Sequence, residues 1–312
     1  MLTAADQEIR SVCIGSSEAA AIIGVGTDAA SEWDVYARLV HPELEVRKRT
    51  LPMRKGNALE DLVGELYAEM FPQYPLTVAR TMRHPRYPFV CTSLDREVLG
   101  SHAVELKAPT IHTRDRWGRS WSSIFPTEYL VQVTIQLDAK GYQWGHLVSL
   151  IEGEGDIRIY KIRHDPELAE IILQKCDGWY RRHVLTRDPP ALDDSDAAER
   201  YLQKRYPKGN GLVLPADPDT LLLHEQLKRE RASIKEAKKR AKELTNVLRA
   251  RVGDNDGIEG VCMLREQKGR VGWSKVAAEL QPARELVEKY TGEAKRKFTL
   301  LGAADDDDEE AA

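Results

Sequence analysis

Residues 93–107, SLDREVLGSHAVELK, constrain this chain's fold more than any other stretch. Two short runs rich in β-forming residues, 87–98 and 103–108, flank Gly100-Ser101, and that pattern predicts a hairpin. Nine residues separate Asp95 from Glu105, and Lys107 lies two positions beyond the glutamate. A turn centred on Gly100-Ser101 sets position 95 across from position 106, so Asp95 and Glu105 are expected side by side. Glu105 and Lys107, two apart on one strand, point to the same face. Two carboxylates and an ammonium then converge.

That convergence suits a hard cation. Crowded carboxylates repel one another, and Mg²⁺ or Mn²⁺ relieves the repulsion through oxygen ligands. The Leu106 carbonyl, between the two charged side chains, could complete the shell. A metal held this way polarises a phosphate oxygen and acidifies bound water, while Lys107 adds positive charge at the phosphate. Glu60, in KGNALEDLV on a preceding helix, offers a further carboxylate. Gln132 and Gln136, in PTEYLVQVTIQLDA, share one helix face just after the hairpin. Glutamines facing solvent are the ordinary alternative, more so for Gln136 than for Gln132. Arg10 stands seven residues before Ser17, near a predicted helix start whose free N–H groups favour a phosphate.

The remaining pattern places these groups in a mixed α/β unit. Ser16 or Ser17 is expected to cap a short helix over AAAIIG, followed by helices over 31–40 and 54–71. In the second of these, Leu59, Leu62, Val63, Leu66 and Tyr67 repeat at helical spacing. Helix is expected again over 127–140 and 165–184, with a strand pair, 144–151 and 156–163, between them. Pro- and Asp-rich linkers follow from about residue 185. Beyond them lie a long charged helix (219–251), a hairpin (257–273) with Lys268-Gly269-Arg270 at its tip, and a last helix (275–291). The expected division is a domain over 1–200, an extension over 211–300 and an acidic tail over 303–312.

Composition narrows the partners. The 312 residues carry a net charge of −4, but residues 305–310 read DDDDEE, and without that run the balance is +2. Residues 228–251 hold ten Lys/Arg against three Glu, so a nucleic-acid partner is not excluded. The four cysteines, Cys13, Cys91, Cys176 and Cys262, lie far apart with no CxxC pair, which argues against structural zinc, an iron–sulfur cluster or a disulfide scaffold. No apolar run approaches a membrane span and no secretory signal is visible, so a reducing cytoplasm is the expected compartment.

The ordered blocks IGSSEAAAIIG, RKGNALEDLV, TSLDREV, VELKAP and PTEYLVQVTIQLDA resemble the YqaJ/lambda-exonuclease family of phage recombination nucleases, within the PD-(D/E)XK superfamily. The resemblance covers roughly residues 8–165. It implies an α/β (α+β), restriction-endonuclease-like core, a central mixed sheet flanked by helices, here with a mostly helical C-terminal extension. The implied activity is Mg²⁺-dependent 5′→3′ degradation of one strand of linear duplex DNA. Its setting would be the bacterial cytoplasm during phage recombination, with a trimeric ring and a phage single-strand annealing protein as partners. By position, Asp95 and Glu105 resemble the metal ligands, Lys107 the catalytic lysine, Glu60 the helix-borne acid and Gln132 the motif glutamine. Arg10 and Ser17 match the pair that receives the DNA 5′-phosphate. Leu94 replaces the superfamily's proline. Iron–sulfur members of the superfamily are excluded by the cysteine spacing. An endonuclease on the same fold, or a non-catalytic DNA-binding protein built around the basic helix, are the competing readings.

Overall fold

The computed structural model describes residues 3–25, 31–44, 51–153, 157–266, 269, 271–292 and 296–301. Helices run over Ala4–Val12 (α1), Ala19–Ile22 (α2), Glu32–Val40 (α3), Leu51–Met70 (α4), Thr127–Lys140 (α5), Pro166–Trp179 (α6), Asp196–Arg205 (α7), Pro218–Val252 (α8), Trp273–Leu280 (α9) and Arg284–Tyr290 (α10). Strands are Ile14–Gly15 (β1), Met82–Arg83 (β2), Val90–Thr92 (β3), Arg96–Val98 (β4), His102–Lys107 (β5), Trp144–Leu150 (β6), Ile157–Arg163 (β7), Gly257–Ile258 (β8) and Cys262–Met263 (β9). The chain divides into two compact units, one through Tyr206 and one from Pro207.

The first unit is mixed α/β, with two small sheets flanked by helices. One sheet has the order β1-β3-β2 and the other β4-β5-β6-β7. The single strand expected over 87–98 is divided between them. Residues 90–92 pair with β1 and β2, and residues 96–98 pair with β5, so the chain changes sheets at Ser93–Asp95. The change of sheet frees Asp95 from any strand ladder.

The β4–β5 hairpin is confirmed with a register one residue away from expectation. Arg96 faces Val104 and Val98 faces His102, leaving Leu99, Gly100 and Ser101 as a three-residue loop. Gly100 takes φ +72°, the left-handed conformation such loops demand. The slip matters because one residue inverts the faces of a strand. Extended by one pair, the observed register brings Asp95 opposite Glu105, on the same face.

Parallel strands cannot be joined by a tight turn, and α5 is the crossover between β5 and β6. It lies deep: Val131 through Leu137 are all buried, with Val131 and Ile135 in one core and Val133 and Leu137 in a second. Its far end is tied down by Asp138, which accepts from His84, His164 and Arg86 at 2.9 Å each. Gly141 ends it at φ 69°. A third core, with Val63, Tyr67, Val104, Val148 and Ile159, joins α4 to the sheet. Leu62 of the expected apolar stripe instead points outward, 42% exposed.

Three further expectations are corrected. Neither Ser16 nor Ser17 caps α2; Glu18 occupies that position, its carboxylate accepting from the Gly15 N–H at 2.8 Å. The segment after residue 185 is not a bare linker, because α7 follows it and residues before α7 dock on α3. Trp33 Nε1 donates to the Ala191 carbonyl and Tyr36 to that of Arg187. In the second unit the helix expected over 275–291 is two helices, parted where Gln281 turns to φ 42° before Pro282, which cannot continue a helix. The hairpin there is short, β8–β9 around Gly260, and Lys268 and Arg270 lie outside the described residues. Among the described residues no helix is long and apolar enough to cross a membrane.

Candidate active site

Glu105 lies on β5 under α5, 1% exposed, and a buried carboxylate needs partners. It has three. Lys107 Nζ and Gln132 Nε2 each donate to Oε1 at 2.5 Å, and Gln136 Nε2 donates to Oε2 at 2.7 Å. Both glutamines therefore face the sheet. The reason is helical geometry: a four-residue spacing stacks them on the α5 face that covers β5. Gln136 was the less favoured candidate in the sequence, yet it is fully buried. Its Oε1 has no partner among the described residues, so the amide is held on its donor side alone.

Asp95 sits at the bend before β4. Its Oδ2 accepts from the Leu106 N–H at 2.8 Å. In extended backbone the N–H and C=O of one residue point to the same side, so the Leu106 carbonyl opens toward that edge as well. Burial, and next the Glu105 carboxylate, raise the Asp95 carboxyl well above its ordinary range; Lys107 opposes the shift. For Lys107 burial favours the neutral amine, but Glu105 and Asp95 outweigh it and hold the ammonium charged. The Tyr129 ring, 5.1 Å from Nζ, lies beside that charge.

Glu60 is placed differently. Its Oε1 accepts from Arg96 Nη1 at 3.2 Å, and the same guanidinium bonds Asp61 at 2.5 Å and the Asp95 carbonyl at 2.7 Å. Glu60 remains near enough to raise Asp95 further. Among the described residues no group of three or more His, Cys, Asp or Glu converges as a metal site. What converges is a pair, Asp95 and Glu105, with a backbone carbonyl. A buried carboxylate beside a half-buried one that it drives toward its protonated form fits a hard divalent cation in chemistry and charge.

Arg10 and Ser17 lie in the other sheet's neighbourhood. Arg10 is half-buried on α1, close enough to the Cys91 thiol of β3 to oppose its upward shift. Ser17 is exposed in the turn before α2, whereas Ser16 is buried, 3.4 Å from the Thr92 hydroxyl. Arg38 braces the region, bonding Glu18 at 2.6 Å and the Arg10 carbonyl at 2.6 Å. The sequence reading missed Arg38, Arg96 and Tyr129. Arg96 was visible in TSLDREV, but only the approach of α4 reveals its partners.

Residues 7–143 match the YqaJ-like viral recombinase domain. The protein YqaJ of Bacillus subtilis (strain 168) is 26% identical over 243 residues, 76% of this chain and 75% of that protein. Among solved structures, the alkaline exonuclease LHK-Exo from Laribacter hongkongensis is 21% identical with a TM-score of 0.48, over 59% of this chain and 97% of that one. A phage-related exonuclease from Haemophilus somnus 129PT is 12% identical with a TM-score of 0.43, over 58% and 99%. The matched span includes Arg10, Ser17, Glu60, Asp95, Glu105, Lys107, Gln132 and Gln136, and over that span the chain is similar to the YqaJ-like viral recombinase domain, in line with the YqaJ/lambda-exonuclease resemblance of its sequence.

Proposed function

We propose that the chain is a metal-dependent deoxyribonuclease that degrades one strand of linear duplex DNA from its 5′ end. The 3′ single-stranded tails it leaves would feed annealing-type phage recombination. One observation carries the reading: Glu105 is buried and held by Lys107, Gln132 and Gln136, with Asp95 beside it. A structural ion pair has no use for a second, destabilised carboxylate at its side.

Asp95, Glu105 and the Leu106 carbonyl would hold Mg²⁺, with Mn²⁺ as a substitute and Glu60 behind them. When bound, the cation supplies Lewis acidity at a phosphate oxygen and a more acidic water. The chain's own residues do the rest. Gln132 and Gln136 fix both oxygens of Glu105 before substrate arrives, so no reorganisation is needed during reaction. Lys107, kept charged by its neighbours, balances negative charge gathering on the phosphate. Arg10 and Ser17 are the proposed receptors for the 5′-phosphate, because a terminal phosphate carries more charge than an internal diester and a guanidinium matches it with two hydrogen bonds. A trimeric ring and an annealing-protein partner belong to the same proposal.

The test is digestion of 5′-phosphorylated linear duplex in Mg²⁺, beside closed circular duplex and single-stranded DNA. Loss of the linear duplex alone is expected. Cutting of the closed circle would replace this reading with an endonuclease. Binding of duplex with no cutting of any substrate would leave a non-catalytic DNA-binding protein.

A further inference from the structure

The second unit presents a long charged surface with no role in the chemistry above. Helix α8 has 35 residues, about 52 Å at 1.5 Å per residue, and its side chains are almost all exposed. Its charges are sorted. Lys228, Arg231, Lys235, Lys238, Lys242 and Arg249 recur at intervals of three, four, three, four and seven. At 3.6 residues per turn these six, with Lys239, fall within about 100° of arc. Glu225, Glu236 and Glu243 lie on a neighbouring stripe, with Arg229, Arg240 and Arg251 beyond it and Glu230 on the far side, so no acidic residue enters the basic face. Lys228 pairs with Glu225 at 3.3 Å and Arg231 lies over the Phe298 ring, but Lys235, Lys238 and Lys242 still stand three and four residues apart, a like-charge spacing that works against the helix. A polyanionic partner removes that penalty.

We propose that this stripe is a contact for the phosphate backbone of duplex DNA, independent of base sequence and of DNA ends. The choice of DNA rests on the nuclease reading. From Lys228 to Arg249 the stripe covers about 32 Å of helix axis, close to one turn of duplex, about 34 Å. Duplex DNA offers about one phosphate charge per 1.7 Å along that length. A lipid surface fits less well. Helices that lie on membranes anchor with aromatic as well as aliphatic side chains; α8 exposes aliphatic ones, such as Leu223, Ile234 and Leu244, but contains no Trp, Phe or Tyr.

The experiment uses the full chain in a chelator, so that nothing is cut, and a covalently closed duplex circle, which has no end for Arg10 and Ser17 to engage. The affinity of wild type is measured across a salt series against Lys238→Gln/Lys239→Gln/Lys242→Gln and the corresponding Arg triple variant. Glutamine keeps helix propensity, and circular dichroism checks that α8 is retained. The Gln variant is expected to bind at least about tenfold more weakly near 0.1 M salt, with its log–log salt slope reduced by about 2–3, while the Arg variant keeps both. Unchanged affinity and slope in the Gln variant would overturn the proposal, as would an equal loss in the Arg variant. So would wild-type binding to phosphatidylserine vesicles without binding to the circle, which would assign the stripe to a lipid surface. Failure of the nuclease reading is scored separately, by wild-type protein leaving linear duplex intact in Mg²⁺.

Discussion

Burial and the neighbouring Glu105 carboxylate raise the Asp95 carboxyl well above its ordinary value of 3.8, so the folded protein keeps a proton there that the unfolded chain releases. The sign follows from linkage: this contribution is fully favourable below about pH 4 and is lost as pH rises through the elevated value. In chelator near pH 8, Asp95→Asn is therefore expected to melt higher than wild type, by about 2–4 °C for each kcal/mol recovered, and to be inactive. Calorimetric melts at pH 4 and pH 8 check it; an advantage that does not grow with pH would remove the carboxylate repulsion from the account. Gln136 makes a second residue-scale case. Gln136→Met deletes one of three donors to Glu105 and also the partnerless Oε1, so stability should change little. A hydrogen bond to a charged group contributes about 1.5–3 kcal/mol, and kcat should fall roughly tenfold to a hundredfold if Gln136 holds the carboxylate for reaction. Single-turnover cleavage of linear duplex, paired with thermal melts, separates the two effects. For Arg10, initial rates on 5′-phosphorylated and 5′-hydroxyl duplex decide its role: Arg10→Ala should erase most of the preference for phosphate, and an unchanged ratio would take Arg10 out of the site.

At the scale of elements, α4 is fastened to the sheet by polar groups buried in an apolar layer. Tyr67 hydrogen-bonds His146 Nδ1 at 2.8 Å and His102 Nε2 at 3.3 Å, and the Trp144 ring stacks on His102 at 3.7 Å. Burial lowers both imidazoles to about 4, with Lys161 adding to the effect. Unfolded histidines take up protons below about pH 6.5, so between 6.5 and 4 the unfolded chain binds more protons than the fold. Stability is expected to be full above pH 6.5 and to fall toward pH 4, by roughly 3 kcal/mol per imidazole at most. Tyr67→Phe should cost about 1–3 kcal/mol by leaving the imidazoles without their common partner. Denaturant melts from pH 4.5 to 7.5 test both points, and a flat pH profile for wild type would contradict the first.

At the scale of the molecule, the second unit begins with residues 207–217, where every side chain is exposed and the hydrogen bonding is local, such as Leu212 N–H to Asn210. Exposed backbone of this kind is where proteases cut first. Limited proteolysis should release a fragment ending near Tyr206, and mass spectrometry locates the cut; first cleavage inside α5 or β5 would contradict the division. The unit that contains the site owes its placement to the β5–α5–β6 crossover, which lays Gln132 and Gln136 over Glu105. Changing the chemistry without losing the fold should therefore be possible at Asp95, in the bend before β4, or at Lys107, the last residue of β5, more readily than at the buried face of α5.

Local pattern was enough for α5, whose observed span is the expected 127–140, and for α8, which exceeds its expected span by one residue at each end. It was also enough for the β4–β5 turn, since Gly100 beside two β-rich runs leaves little else to form, and for the presence of Asp95, Glu105 and Lys107 at its base. These are properties of period and turn chemistry, which neighbouring residues settle among themselves. The break at Ser93–Asp95 was not legible, because 87–98 has β-forming character throughout and only competition between two sheets divides it. The hairpin register lies one residue from that of a turn centred on Gly100-Ser101, because a three-residue loop with Gly100 left-handed forms instead. Gln136 could be distinguished from a solvent-facing glutamine only by what lies beneath α5, and Glu60 was drawn to Arg96 by the approach of α4 to β4. Partners across space come from packing, and one chain read in order contains the groups without the distances between them.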